Sequence, residues 1–234
     1  MSRHRLAALN AADGALLPWN PVPGTGPMLN RPQNGTTNTG LSDVVRSIVV
    51  TGGGAQVVVG GHFDTLNGVK ATGVGALDAV TGETRPFAIN RLITNQGING
   101  GVYHLSTDGT NVYGTAYDYY GPGNVEGGFA VLADGGAVQW INECHGDTYS
   151  SFPMSGALYV AGHPHVCSNI GGYHEHSPRV HRYATAVTIA ATGTVGTGTL
   201  TNSRVKPEGT IVHVSERQYP SSGTLLQGQP APRC

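Results

Sequence analysis

The sequence predicts an all-β fold, a β-propeller built from four-stranded antiparallel blades, and three observations point to it. The composition is glycine-rich and charge-poor: 36 glycines, with 12% charged residues, about half the usual share. Short apolar runs separated by turn residues recur along the chain. A distinct turn unit returns in several copies, the sign of a repeat architecture.

The turn unit first reads Leu6-Ala-Ala-Leu-Asn-Ala-Ala-Asp-Gly14-Ala-Leu-Leu-Pro-Trp19 and next Val74-Gly-Ala-Leu-Asp-Ala-Val-Thr-Gly82-Glu-Thr-Arg-Pro-Phe87. Each is an apolar strand, a polar turn closing on glycine, and a short strand ending in Pro-aromatic. Glycine suits such turns because it accepts positive φ without strain. A looser copy, one residue out of step, is Phe129-Ala-Val-Leu-Ala-Asp-Gly-Gly136-Ala-Val-Gln-Trp140, and a degenerate one is Ala186-Val-Thr-Ile-Ala-Ala-Thr-Gly193-Thr.

A second element precedes the later three copies: Val57-Val-Val-Gly-Gly-His62, Val112-Tyr-Gly-Thr-Ala-Tyr117 and Leu158-Tyr-Val-Ala-Gly-His163. Before these come the strand-like runs 44–50, 101–105 and 148–152. Four strands every ~40–55 residues is the propeller period. The small residues suit strand ends crowded at an axis. The expected layout is the end of a blade at 1–21, blades at 43–90, 100–142 and 146–195, and an irregular tail at 196–234. The stretches 20–42, 191–206 and 218–234 read as strand-poor. No sustained 3.6-residue apolar period is present, so helix is expected to be scarce.

The first unit looks like the late part of a blade, and the last residues complete none. The expected reading is about three blades plus part of another, a fragment of a longer protein; the rival is a small domain closed by dimerisation. Open blade edges invite self-association.

Net charge is −1, with 13 Lys and Arg scattered through the chain. That argues against a nucleic-acid partner. No apolar run approaches a membrane span, so membrane insertion is not expected. Of three cysteines, Cys144 and Cys167 are candidates for a disulfide, the alternative being two small buried thiols; Cys234 has no partner in sight.

Six of the ten histidines lie between 145 and 181: His145, His163, His165, His174, His176 and His181. The pairs His163/His165 and His174/His176 put two rings on one face of an extended strand. With Asp147 or Glu175 they are candidate ligands for a divalent ion such as zinc, copper or calcium, although histidine and aspartate also satisfy turn backbones, and no cofactor is required. Tyr119, Tyr120, His145 and Asp147 are the candidate ligand-binding residues. Tyr117, Tyr119 and Tyr120 with Trp140 are candidate stacking faces for sugars, although Tyr117 and Trp140 read first as blade core. Ser150, Ser151 and Ser155 sit in no nucleophile elbow. Gly52-Gly-Gly54 is a turn rather than a phosphate cradle, and Cys144 beside His145 makes a thiol nucleophile only if unoxidised. No catalytic set emerges.

The runs Val58-Val-Gly-Gly-His-Phe-Asp-Thr-Leu-Asn-Gly68 and Ala76-Leu-Asp-Ala-Val-Thr-Gly82 resemble the delta-60-type repeat. Trp140-Ile-Asn-Glu-Cys-His-Gly-Asp-Thr-Tyr149, Tyr159-Val-Ala-Gly-His-Pro-His-Val-Cys167 and Gly171-Gly-Tyr173 are similar to its actinobacterial members. The resemblance implies an extracellular or surface-attached propeller and implies no reaction. It departs from the pattern at both ends, which lack flanking blades and an export signal. The expected function is non-catalytic binding of carbohydrate, cell-wall polymer or a surface protein, or surface assembly. The alternative is a metal-dependent hydrolase or oxidoreductase using the histidine-rich segment 145–181.

Overall fold

Three four-stranded sheets carry the architecture, each an up-and-down meander of strands taken in chain order. The computed structural model describes residues 2–24, 32–33, 36–37, 43–93, 100–118, 125–168, 173–189 and 212–215. The first sheet contains β1 (Asp43–Thr51), β2 (Gln56–Phe63), β3 (Val74–Asp78) and β4 (Thr84–Arg85). The second contains β5 (Gly100–Thr107), β6 (Asn111–Asp118), β7 (Gly127–Leu132) and β8 (Val138–Asn142). The third contains β9 (Thr148–Met154), β10 (Ala157–Gly162), β11 (Ala184–Thr188) and β12 (Val212–Ser215). All pairings are antiparallel, and none of the sheets closes on itself. A smaller ladder joins Pro23–Gly24, Thr65–Leu66 and Val69–Lys70. Among the described residues helix is limited to two 3-10 turns, Gly52–Gly54 and Ala88–Arg91.

Burial along the second strands shows how the sheets stack. Every residue of β2 is buried, and β6 is buried from Val112 to Tyr117. A strand buried on both faces lies between two layers. In β10 burial is interrupted, and Tyr159 is exposed, so one face of the third sheet is open. Val58, Val102, Leu105, Val112, Phe129 and Ile141 form one core between the first and second sheets. Tyr113, Trp140, Leu158 and Val187 form another between the second and third. Trp140 and Tyr117 are core residues, as the sequence predicts.

The turn unit is a local device with a tertiary purpose. The Asp78 carboxylate accepts hydrogen bonds from the amides of Val80 (2.8 Å) and Thr81 (2.7 Å), and Gly82 N donates to Asp78 O (3.0 Å). Those amides, the Thr81 one above all, and Arg85 at 2.6 Å hold the Asp78 carboxyl well below the usual carboxylate range. Asn10 plays the same part in the first copy, accepting from Ala12 N (2.8 Å) while Gly14 N returns to Asn10 O (2.8 Å). In the first two units the closing aromatic then packs on the glycine of the following one. A Cβ on Gly82 would lie 3.3 Å from Trp19, and one on Gly136 only 2.6 Å from the Phe87 ring. Both glycines also have positive φ, 78° and 67°. Trp19 Nε1 donates to Asp78 O at 2.9 Å. The repeated Pro-aromatic ending is therefore the joint between consecutive units.

Candidate functional site

Each sheet breaks its register at the same place. The pairing of β1 with β2 skips Arg46, that of β5 with β6 skips Tyr103, and that of β9 with β10 skips Tyr149. Each skipped residue is the extra residue of a β-bulge, a device that bends the strand and re-aims a side chain. The bulged backbone comes close to the end of the second strand, so small residues face it. A Cβ on Gly61 would meet Val44 O, and one on Gly162 would meet Asp147 O; Ala116 holds the corresponding place in the second sheet. The next residues along, His62, Tyr117 and His163, are the terminal residues of the three repeated runs.

The bulge residues and these partners form one continuous row across the three sheets. The Arg46 guanidinium lies 5.0 Å from the Tyr103 ring centre, a cation–π contact. Arg46 Nε donates to His62 Nε2 at 2.6 Å, and the Tyr117 hydroxyl stands 2.9 Å from the same nitrogen. Tyr103 stacks on Tyr117 with centroids 4.0 Å apart and meets Tyr149 edge-on at 5.4 Å. Tyr149 meets His163 edge-on at 5.6 Å, and His163 meets His181 at 5.4 Å. The Asp147 carboxylate lies 3.7 Å from His163 Nε2. Access is from solvent at Arg46 and at Tyr149, which is 45% exposed; His62 and Tyr117 lie beneath, buried.

The electrostatics keep the phenols of the row protonated. Burial, and then the Asp147 charge, pushes the Tyr103 and Tyr149 phenols up; burial does the same to Tyr117. All three remain protonated near neutrality and present ring faces and hydroxyls. Interaction with Asp147 raises the His163 pKa against the opposing effect of burial.

The sequence-predicted residues separate into groups. Asp147 and His163 belong to the row. Tyr119 and Tyr120 lie outside the described residues. His145 is exposed and faces Glu126 at 3.3 Å, which raises its pKa. His165 is buried, 3.2 Å from Glu175 and 5.8 Å, centre to centre, from His181; burial lowers its pKa. His174 and His176 are exposed. The structure therefore brings His163 and His165 to His181 rather than to the 174/176 pair. Among the described residues no group of three His, Cys, Asp or Glu is arranged to hold a metal ion. The two His-x-His pairs fail as strand faces because both lie outside strands, beyond the end of β10 and between β10 and β11. Cys144 and Cys167 form a disulfide that ties the segment after β8 to the segment after β10. The sulfur of Cys144 is thus no nucleophile, and the bond fits an extracellular setting. No helix among the described residues is long and apolar enough to cross a membrane.

No family model, curated protein or solved structure matches this chain. Arg46, His62, Tyr103 and Tyr149 are the residues of the row that sequence reasoning missed. A signal was present: the repeated runs end in His62, Tyr117 and His163. The bulges that turn their neighbours into the row follow from strand pairing.

Proposed function

We propose that the chain is a run of β-propeller blades of the delta-60-repeat type, extracellular and non-catalytic, and that it binds carbohydrate along the bulge row. One observation supports this most: three successive meanders place their bulge residue at the same position, and the three residues meet across the stack. Radially repeated four-stranded meanders are propeller blades. Ring faces with protonated hydroxyls and a flanking guanidinium suit the apolar faces and hydroxyl edges of sugars. The disulfide supports the extracellular setting.

The test is a glycan and cell-wall-polymer array on the wild type, with affinities then measured for Tyr149→Ala and Tyr103→Ala. Loss of the exposed Tyr149 ring is expected to weaken binding roughly five- to tenfold, equivalent to about 1–1.4 kcal/mol. An array without ligands, or affinities indifferent to both tyrosines, refutes the reading.

A further inference from the structure

The bulge row begins at a cation and closes near an anion. At its first end stands Arg46, an exposed residue of β1. Its Nε donates to His62 Nε2 at 2.6 Å, and its guanidinium carbon lies 5.0 Å from the Tyr103 ring centre. His62 is itself buried and held within 2.9 Å of the Tyr117 hydroxyl. A long side chain is thus fixed at two points in the free protein, so ordering it costs a ligand little. Arg5, Arg85 and Arg179 each face a carboxylate, at 3.1, 2.6 and 2.6 Å. Among the described residues no carboxylate faces Arg46, and its Nη1 and Nη2 have no hydrogen-bond partner. Those two nitrogens form the end-on fork that takes both oxygens of one carboxylate.

The other end of the row has the opposite sign. Asp147 lies 3.7 Å from His163 Nε2, and its charge pushes up the phenols of both Tyr103 and Tyr149. At Tyr103 the Arg46 charge opposes it. The Tyr103 ring therefore stands between two opposed fields, while the exposed Tyr149 ring feels Asp147.

On the reading of the row as a carbohydrate site, we infer that its ligand is an acidic heteroglycan: a uronate whose carboxylate sits on the Arg46 fork, joined to an uncharged sugar on the Tyr149 ring. A neutral glycan leaves the fixed guanidinium unpaired. A glycan with a carboxylate on every ring brings a second one beside Asp147, and juxtaposed like charges cost affinity. Alternation of charged and uncharged rings suits both ends.

Titration calorimetry of the intact chain tests this with oligosaccharides of equal length: hyaluronan, in which uronate and N-acetylhexosamine alternate, its neutral carboxyl-reduced form, and oligogalacturonate, charged on every ring. Hyaluronan is expected to bind tightest, and less tightly as salt rises. Arg46→Met weakens hyaluronan binding by about tenfold or more and leaves the reduced form unchanged. Arg46→Lys keeps the charge but not the fork and recovers only part of the loss. Asp147→Asn raises the affinity for oligogalacturonate by about twofold to fivefold. Tyr149→Ala weakens hyaluronan and its reduced form alike, and so reports on the row itself. Equal affinity for hyaluronan and its reduced form, or indifference to Arg46→Met, overturns the acidic ligand while the Tyr149 effect upholds the row. Oligogalacturonate binding as tightly as hyaluronan overturns the alternation. No binding of hyaluronan overturns the proposal outright, and indifference of every oligosaccharide to Tyr149→Ala overturns the row reading and this one with it.

Discussion

The two joints between the sheets share a plan and differ in chemistry. Leu105 stands two residues after the bulge of β5, and it is buried against the first sheet; a Cβ on Gly60 would lie 3.2 Å from it. Ser151 stands at the same place in β9. It is buried too, but it meets the second sheet through polar contacts: its hydroxyl lies 3.1 Å from that of Ser106, and its amide donates to His104 Nδ1 at 3.3 Å. The first joint is aliphatic, with Val58, Val102 and Phe129 around Leu105. The second has a polar inner edge and is reinforced by the Cys144–Cys167 disulfide and by Arg182 packed 4.0 Å from the Tyr173 ring centre. At the equivalent place in β1, Ile48 is 51% exposed. The repeat thus dictates backbone geometry and bulge position, while each joint is free to use its own means of cohesion.

The sharpest way to break this contrast is to truncate both equivalent positions. Leu105→Ala is expected to cost about 2–5 kcal/mol, because it leaves a cavity against Gly60. Ser151→Ala is expected to cost about 1 kcal/mol, the net worth of an ordinary hydrogen bond. Urea unfolding midpoints measure both, and equal losses would mean that the joints do not differ as described.

The disulfide comes next. Replacing Cys144 and Cys167 together by serine is expected to cost about 3 kcal/mol, since it frees a loop of 23 residues in the unfolded chain. The loss should fall mainly on the second joint. Amide hydrogen exchange of β9 and β10 against β2 and β3 reports this directly; uniform loosening of all three sheets would count against a local role.

The smallest effect expected is one of pH. The folded pKa of His163 lies above its ordinary value because the Asp147 carboxylate favours the charged ring. Its contribution to stability is fully present below the unfolded value of about 6.5. It is lost as pH rises through the higher folded value. The stability gap between wild type and Asp147→Asn should therefore be wider near pH ~6 than near pH ~8. Parallel pH profiles would show that Asp147 acts on stability by another route.

Much of the fold is legible in the chain because its signals are local. The runs ending in His62, Tyr117 and His163 are second strands, as their composition suggests. The units ending in Trp19, Phe87 and Trp140 carry the turn chemistry read from them, down to Asn10 and Asp78 accepting from the following amides. The candidate site was legible only in part. Asp147 and His163 stood out through local density of chemistry. Arg46, Tyr103 and Tyr149 did not, since nothing in a run such as Val44-Val-Arg-Ser-Ile-Val-Val50 marks which residue the pairing will skip. The spacing of His163 and His165 suggested a shared strand face, but Pro164 lies between them, and β10 ends at Gly162.

The sequence alone determined the all-β class, the antiparallel four-strand period of the first two sheets, the turn chemistry and the exclusion of a membrane-spanning helix, because these depend on neighbours a few residues apart; the fourth strand of the third sheet, Val212–Ser215, instead falls in the tail expected to be irregular. Only the tertiary structure decided the aligned bulges, the row running from Arg46 to His181 and the Cys144–Cys167 pairing. Those features arise where strands from separate repeats meet, and register and stacking order, not local composition, set which side chains face one another there.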